Sequence, residues 1–167
     1  MNLNKTKKIA IFSILVALAF ILSYIEVSIP NPFPIPGIKL GLANLVVITA
    51  FYTLGNREAL IISLVRIVLV GFTFGNMSMM IYSMAGGLLS WLIMFICKKF
   101  NIFSIVGISV VGGLAHNIGQ VAVAVIMVEN MNIIYILPIL LISGVAAGTI
   151  IGILGGIMVK RLQGVLR

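Results

Sequence analysis

Acidic residues are almost absent from this sequence, which contains no aspartate and only three glutamates in 167 residues. Charged residues of either sign make up 8% of the chain, whereas an average soluble domain contains about 25%. Hydrophobic residues account for 62%, and the mean hydropathy is +1.29. This shortage of charge excludes a soluble globular domain, whose surface must face water. It predicts an all-α integral membrane protein whose solvent is lipid.

Cysteine and histidine are equally scarce. The single cysteine, Cys97, excludes an internal disulfide, and it is interpreted as a small apolar residue in a packed helix. One histidine, one cysteine and no aspartate are too few ligands for a zinc site. No metal site is therefore expected.

The positive charges are spread along the chain in a regular pattern. Nine of the eleven Lys and Arg residues form four clusters, at every second boundary between apolar runs: Lys5, Lys7 and Lys8; Arg57; Lys98 and Lys99; Lys160, Arg161 and Arg167. A nucleic-acid-binding protein would gather these charges on one face of a folded domain. The alternation instead follows the positive-inside rule, and it predicts that both termini are cytoplasmic.

Apolar runs of about 20 residues predict a bundle of six transmembrane helices within one membrane domain, residues 1–167. We place the helices at approximately 8–29, 38–54, 58–74, 77–97, 103–128 and 133–159. Four prolines in residues 30–36 predict an extended loop after the first helix. No segment between the helices is long enough to hold an ATPase, so any energy must come from another chain.

Glycine recurs at four-residue spacing in the last helix, at Gly144, Gly148, Gly152 and Gly156. Small residues let membrane helices approach closely, because lipid supplies no hydrophobic force between them. The stripe predicts a packing face, either for a neighbouring helix of the same chain or for a partner protein.

Several polar side chains are predicted to lie within the membrane, where they usually face the bundle interior or a water-filled site. Arg66 falls near the middle of the third helix, and His116, Asn117 and Gln120 lie together on the fifth. A structural role, with hydrogen bonds to helix carbonyls, is one interpretation. A ligand-binding site is the other.

A second polar group is predicted at the outer ends of the helices. Its members are Glu26, Lys39, Asn44 and Asn76. Glu26 and Lys39 could simply pair across the proline-rich loop. Alternatively, the group forms an outward-facing cup covered by that loop.

Three segments carry a resemblance to a bacterial family. They are Lys39-Leu-Gly-Leu-Ala-Asn44, Ser83-Met-Ala-Gly-Gly-Leu-Leu-Ser90 and Gly113-Leu-Ala-His-Asn-Ile-Gly-Gln120. Over nearly its whole length, the sequence resembles the Gx transporter family, also named heptaprenyl diphosphate synthase component I. That family is similar to the S components of energy-coupling-factor (ECF) transporters. The resemblance implies a six-helix subunit of the bacterial cytoplasmic membrane that binds a vitamin-like molecule from outside.

The resemblance also implies partners and a cargo. S components dock their first helix, through an Ala-x-x-x-Ala pair, onto a transmembrane scaffold driven by two ATPases. The matching small-residue pairs here are Ser13 with Ala17 and Ala19 with Ser23. Some family members are associated with flavin trafficking, so a flavin is the leading cargo.

The synthase name implies a different function, a part in prenyl diphosphate synthesis. The residue content of the chain restricts what that part can be. Prenyl synthases of the head-to-tail type hold diphosphate through magnesium bound to clustered aspartates, and this chain has none. We therefore expect no enzymatic activity from the chain alone. A non-catalytic accessory subunit of isoprenoid or quinone biosynthesis remains an alternative. A structural anchor of a membrane redox complex is a third.

Overall fold

The computed structural model describes residues 5–29 and 40–165, and nearly all of them are helical. These residues form six α-helices and one short 3₁₀ helix. The helices are α1 (Lys5–Ser28), α2 (Leu42–Thr53), α3 (Asn56–Thr73), α4 (Met77–Lys99), α5 (Ile105–Val128) and α6 (Leu137–Val165), with the 3₁₀ helix (Met131–Ile136) leading into α6.

Most helix bounds agree with the predicted ones to within three residues, but α2 and α6 do not. The last helix was predicted at 133–159, whereas α6 covers Leu137–Val165 and the residues before it form the 3₁₀ helix. The predicted range of α2 was 38–54, of which residues 38 and 39 lie outside the described residues. Leu40 and Gly41 are not helical, and α2 begins only at Leu42. The cause is Gly41, whose φ of 76° places it in the left-handed region that glycine adopts most readily.

Among the described residues, four helical segments are long and apolar enough to cross a membrane: α1, α4, α5 and the stretch Met131–Gly164. Such segments are expected only in a multi-pass membrane protein. α2 and α3 are not among these segments, each for its own reason. α2 has only 12 residues, and α3 carries Arg57, Glu58 and Arg66.

The core of the bundle surrounds α2. Val46, Ala50 and Phe51 are fully buried there. Ile62 of α3 is also fully buried, and Ile108 of α5 is nearly so. Because α2 is enclosed by other helices, it presents little apolar surface to lipid. Its short length is therefore compatible with a buried position in the bundle.

Polar contacts join the helix ends at one end of the bundle. Lys8 of α1 forms an ion pair with Glu58 of α3. Lys98 of α4 donates hydrogen bonds to the Phe51 carbonyl at 2.5 Å and to Asn56 Oδ1 at 3.0 Å. These contacts bring the start of α1, the turn between α2 and α3, and the end of α4 together. We call this the basic end.

The glycine stripe of α6 packs mainly against α5 of the same chain. A Cβ at Gly148 would lie 2.8 Å from Val110 Cα, and one at Gly152 would lie 2.7 Å from Val106 Cα. A Cβ at Gly144 would lie 2.8 Å from Asn117 Nδ2 of α5 and 3.5 Å from the Gly113 carbonyl carbon. Gly156 differs, because no atom lies within 4 Å of its Cβ position among the described residues. The intrachain interpretation therefore holds for three of the four glycines.

Gly148→Ala is expected to lower the free energy of unfolding by about 1–3 kcal/mol, because its methyl group meets backbone atoms that cannot rotate away. Gly156→Ala is the matched control, and it should unfold at the wild-type temperature or slightly above, since alanine favours helix over glycine. Thermal unfolding in detergent, followed by circular dichroism, measures both. Equal effects of the two substitutions would show that close α5–α6 packing does not stabilise the bundle.

Candidate ligand-binding site

A cavity of about 100 Å³ lies inside the bundle, and all six α-helices contribute to its lining. Six side chains that the sequence singled out line it together: Glu26, Asn44, Arg66, His116, Asn117 and Gln120. They come from α1, α2, α3 and α5. The cavity is thus where the two polar groups, predicted separately at the middle and at the outer ends of the helices, meet.

Arg66 is the most unusual of these side chains. Its Nε is enclosed by protein, yet it has no hydrogen-bond partner in the part of the chain that the structure describes. A buried donor without an acceptor costs about 1–3 kcal/mol, and more when the group is charged. Nearly all such groups in native proteins are satisfied, so an unsatisfied one calls for an explanation such as a bound water, ion or ligand.

Glu26 lies on the same cavity and is close enough to interact electrostatically with Arg66. Its Oε1 accepts a hydrogen bond from the Gly41 N–H at 2.5 Å. The bend at Gly41 therefore brings the start of α2 against the end of α1. Asn44 follows on the first turn of α2, and its N–H donates to the Gly41 carbonyl at 2.8 Å.

Asn117 and Ser143 form the side of the cavity made by α5 and α6. Asn117 Nδ2 donates to the Leu140 carbonyl at 2.6 Å, and Ser143 Oγ donates to the same oxygen at 2.9 Å. A carbonyl oxygen can only accept, so these bonds fix the orientation of both side chains. Asn117 Oδ1 and the lone pairs of Ser143 Oγ are left as acceptors.

Two adjoining glycines of α4 let the helices around the cavity approach closely. A Cβ at Gly86 would lie 2.6 Å from the His116 carbonyl oxygen and 2.9 Å from Gln120 Cγ. A Cβ at Gly87 would lie 3.0 Å from Ile67 of α3. α4 is thereby held between α3 and α5, which places Arg66 and His116 on one cavity.

The sequence did not indicate the serines and the tryptophan of the lining. These are Ser63, Ser83, Ser90, Ser109, Ser143 and Trp91. Serine is common in membrane helices and often bonds to the carbonyl one turn earlier, so its presence alone carries no signal. Ser83 and Ser90 do lie within a segment that supports the family resemblance, which is the one signal available for them.

Trp91 connects the cavity with the basic end. It lines the cavity, and its Nε1 donates to the Asn56 carbonyl at 2.9 Å. It is also the only tryptophan of the chain. Its fluorescence therefore reports on this one site.

Two residues predicted for the site are not part of the described cavity. Lys39 lies outside the described residues, and so does any pairing with Glu26. Asn76 is the N-cap of α4, where its Oδ1 accepts from the Met79 N–H at 2.7 Å, and it does not line the cavity. A helix cap accounts for the position of this side chain, and a role of Asn76 in ligand binding stays a prediction.

The two small-residue pairs of α1 lie in different surroundings. Ser13 and Ala17 are exposed on the surface of α1. Ala19 is fully buried and Ser23 is 4% exposed, with the Ser23 Oγ donating to the Ala19 carbonyl at 2.8 Å. The second pair packs inside the bundle, so it does not form part of a docking surface. Only Ser13 and Ala17 remain candidates for docking.

No group of three or more His, Cys, Asp or Glu side chains comes together among residues 5–29 and 40–165. The polar lining of the cavity consists of a guanidinium group, one carboxylate, amides, hydroxyls and one imidazole. Such groups recognise a ligand through hydrogen bonds and charge.

Comparisons with known proteins agree with this architecture. A family model described as heptaprenyl diphosphate synthase component I matches residues 15–158. Among solved structures, the chain is similar to the S component of a bacterial ECF transporter, with a TM-score of 0.74 and 20% sequence identity. The match covers 98% of this chain and 99% of that chain. At this identity the likeness establishes the fold. No curated protein sequence gives a significant match.

Proposed function

Because the chain belongs to the heptaprenyl diphosphate synthase component I family and has the fold of an ECF transporter S component, we propose that it is the substrate-binding membrane subunit of an ECF-type small-molecule transporter. The observation that carries this proposal is the cavity. In a chain with this fold, Arg66 has an enclosed donor that no described residue satisfies, and it lines the same cavity as the polar side chains of α5. A pocket with a few convergent polar groups is the usual form of a small-molecule site.

We propose six membrane crossings with both termini in the cytoplasm of a bacterium. Two features support this topology. The start of α1, the turn between α2 and α3, and the end of α4 meet at the basic end, where Lys8 and Lys98 lie. Positive residues flank the cytoplasmic side of membrane helices. Glu26 and Gly41 lie at the opposite helix ends, which would place them on the outer side.

We also propose that the exposed face of α1 around Ser13 and Ala17 docks onto a transmembrane scaffold subunit. Small side chains there would let a partner helix come close to the α1 backbone. ATP hydrolysis would belong to separate ATPase subunits, and the chain itself would not be an enzyme. Support comes from the exposure of this pair and from the absence of any carboxylate cluster in the described part of the chain.

A flavin is the cargo that the family resemblance implies, and it is the first candidate to test. The cavity volume of about 100 Å³ is below the range of about 300–1,000 Å³ that is typical of sites for drug-sized molecules. A flavin would therefore require the helices to separate. Riboflavin titrated against the fluorescence of Trp91 tests this candidate directly.

The family description favours a second candidate, a non-catalytic membrane subunit that assists a soluble prenyl synthase. In that role the chain would bind the synthase and not an ATP-driven scaffold. Its cavity would then have no transported cargo.

Copurification separates the two functions. The chain is expressed with an affinity tag together with the scaffold and ATPase subunits of an ECF transporter from the same organism, and separately with a soluble prenyl synthase. We expect the scaffold and both ATPases to be recovered with the chain in detergent. Recovery of the synthase without the scaffold would overturn the transporter proposal.

A further inference from the structure

The cavity has a donor on one side and acceptors on the other. On α3, Arg66 Nε is an enclosed donor that no described residue satisfies. Where α5 meets α6, the Leu140 carbonyl accepts from one N–H of Asn117 and from the O–H of Ser143. Asn117 Oδ1 and the lone pairs of Ser143 Oγ remain as acceptors there, beside the second N–H of Asn117. A ligand that satisfies both sides has an acceptor at one end and N–H or O–H donors at the other.

The guanidinium group selects the chemistry of the acceptor. Nε and a neighbouring Nη form a fork whose two parallel N–H bonds match the two oxygens of an oxyanion. A neutral carbonyl would leave part of this fork and its charge unsatisfied. The end of the ligand that meets Arg66 is therefore a carboxylate or a phosphate.

The charge of the lining favours the carboxylate. Among the described residues of the lining, Arg66 and Glu26 are the ones with formal charges, apart from the titratable His116, and they balance each other. A phosphate monoester carries a charge of about −1.5 to −2 at neutral pH. It would place excess negative charge near Glu26 in an enclosed site, where repulsion is poorly screened. A diphosphate would be less favourable still. A carboxylate that also carries an ammonium group adds no net charge to the described lining.

We infer that the cavity takes a compact amphoteric carboxylate, with its oxyanion on Arg66 and its N–H donors on Asn117 and Ser143. This inference rests on the proposed function, because it names the substrate class of the same site. The small cavity volume agrees with a ligand of few atoms. By the same reasoning the site disfavours prenyl diphosphates. It also disfavours riboflavin, which has no carboxylate.

A panel of small ligands tests each part of the inference. β-Alanine has a carboxylate and an ammonium group, propionate lacks the ammonium group, and phosphoethanolamine replaces the carboxylate by a phosphate. Riboflavin is the competing cargo. Each is added at millimolar concentration to the full chain in detergent, and both the thermal unfolding temperature and the fluorescence of Trp91 are recorded.

We expect β-alanine to raise the unfolding temperature and to bind at least about tenfold more tightly than propionate or phosphoethanolamine. Arg66→Lys keeps the charge but loses the fork, and it should weaken β-alanine binding. Arg57→Gln removes an exposed arginine outside the cavity, and it should bind as wild type does.

Stronger binding of phosphoethanolamine or riboflavin would overturn the inference, and so would the absence of any response to β-alanine. The outcome is independent of copurification with the scaffold. If the scaffold is recovered but β-alanine does not bind, the substrate class is wrong and the transporter proposal stands. If neither scaffold recovery nor β-alanine binding is observed, both the substrate class and the transporter proposal are wrong.

Discussion

Arg66→Met is expected to weaken ligand binding at least about 30-fold while leaving the empty protein about as stable as wild type. The substitution removes an enclosed charged donor that no described residue satisfies. Leaving a buried donor unsatisfied costs about 1–3 kcal/mol, and removing it offsets the attraction to Glu26 that is lost with it. Glu26 keeps its hydrogen bond from the Gly41 N–H, so it is not left without a partner.

The expected loss of affinity is large. Removing one partner of an enclosed charged hydrogen bond costs about 2–5 kcal/mol, which corresponds to roughly 30-fold to several thousand-fold in Kd. The affinity is measured by Trp91 fluorescence with the best ligand of the panel, and stability by thermal unfolding without ligand. Arg57→Met is the control, because Arg57 is exposed and does not line the cavity.

The combination of the two measurements decides between a binding role and a structural role for Arg66. A structural arginine would lower the unfolding temperature when removed, and the folded fraction would bind ligand normally. Removal of a binding arginine would leave the unfolding temperature unchanged and would weaken ligand binding. If Arg66→Met destabilises the empty protein and leaves affinity unchanged, the guanidinium group belongs to the packing of the bundle.

Ala17→Trp is expected to prevent assembly with the scaffold while ligand binding is preserved. The indole would project from the exposed face of α1 and hold a partner helix away from the backbone. Recovery of scaffold and ATPases, and uptake of ligand by cells, should each fall at least about tenfold, since small-residue contacts let membrane helices approach closely.

Ile142→Trp is the matched control for this experiment. Ile142 is 71% exposed on α6, away from the proposed docking face, and it is already a large side chain. The variant should assemble and transport as wild type does. Equal loss in both variants would indicate a general effect of surface tryptophan, and normal assembly of Ala17→Trp would place the docking surface elsewhere.

Much of the fold could be predicted from the sequence, because membrane insertion depends on local features. Apolar length and the positions of Lys and Arg indicated the helices and most of their bounds. The start of α2 and the end of α6 were the exceptions. At the start of α2, Gly41 adopts a positive φ and its N–H donates to Glu26. That contact joins residues 15 positions apart in sequence. Local pattern carries no information about it. The orientation in the membrane stays a prediction.

The candidate site was predicted in part. Arg66 and His116 could be recognised as costly residues in lipid, but their convergence depends on how α4 packs between α3 and α5 at Gly86 and Gly87. The serines were missed, since a serine such as Ser23 can satisfy itself within its own helix.

The sequence also could not show which helix packs against each small-residue face. Spacing identified the α6 glycine stripe and both small-residue pairs of α1. It could not show that Gly156 lacks close neighbours or that Ala19 faces the core. A four-residue repeat marks one face of a helix. Which helix covers that face is decided by the whole bundle.

Native mass spectrometry of the wild-type chain, released from detergent after purification from membranes, tests the central claim most directly. We expect a mass increment from one retained small molecule, present in wild type and in Arg57→Met but absent from folded Arg66→Met. Retention of the same molecule by Arg66→Met would contradict the assigned site. A wild-type protein that retains nothing, and binds nothing from the panel or from riboflavin, would contradict the claim that this chain is a substrate-binding subunit.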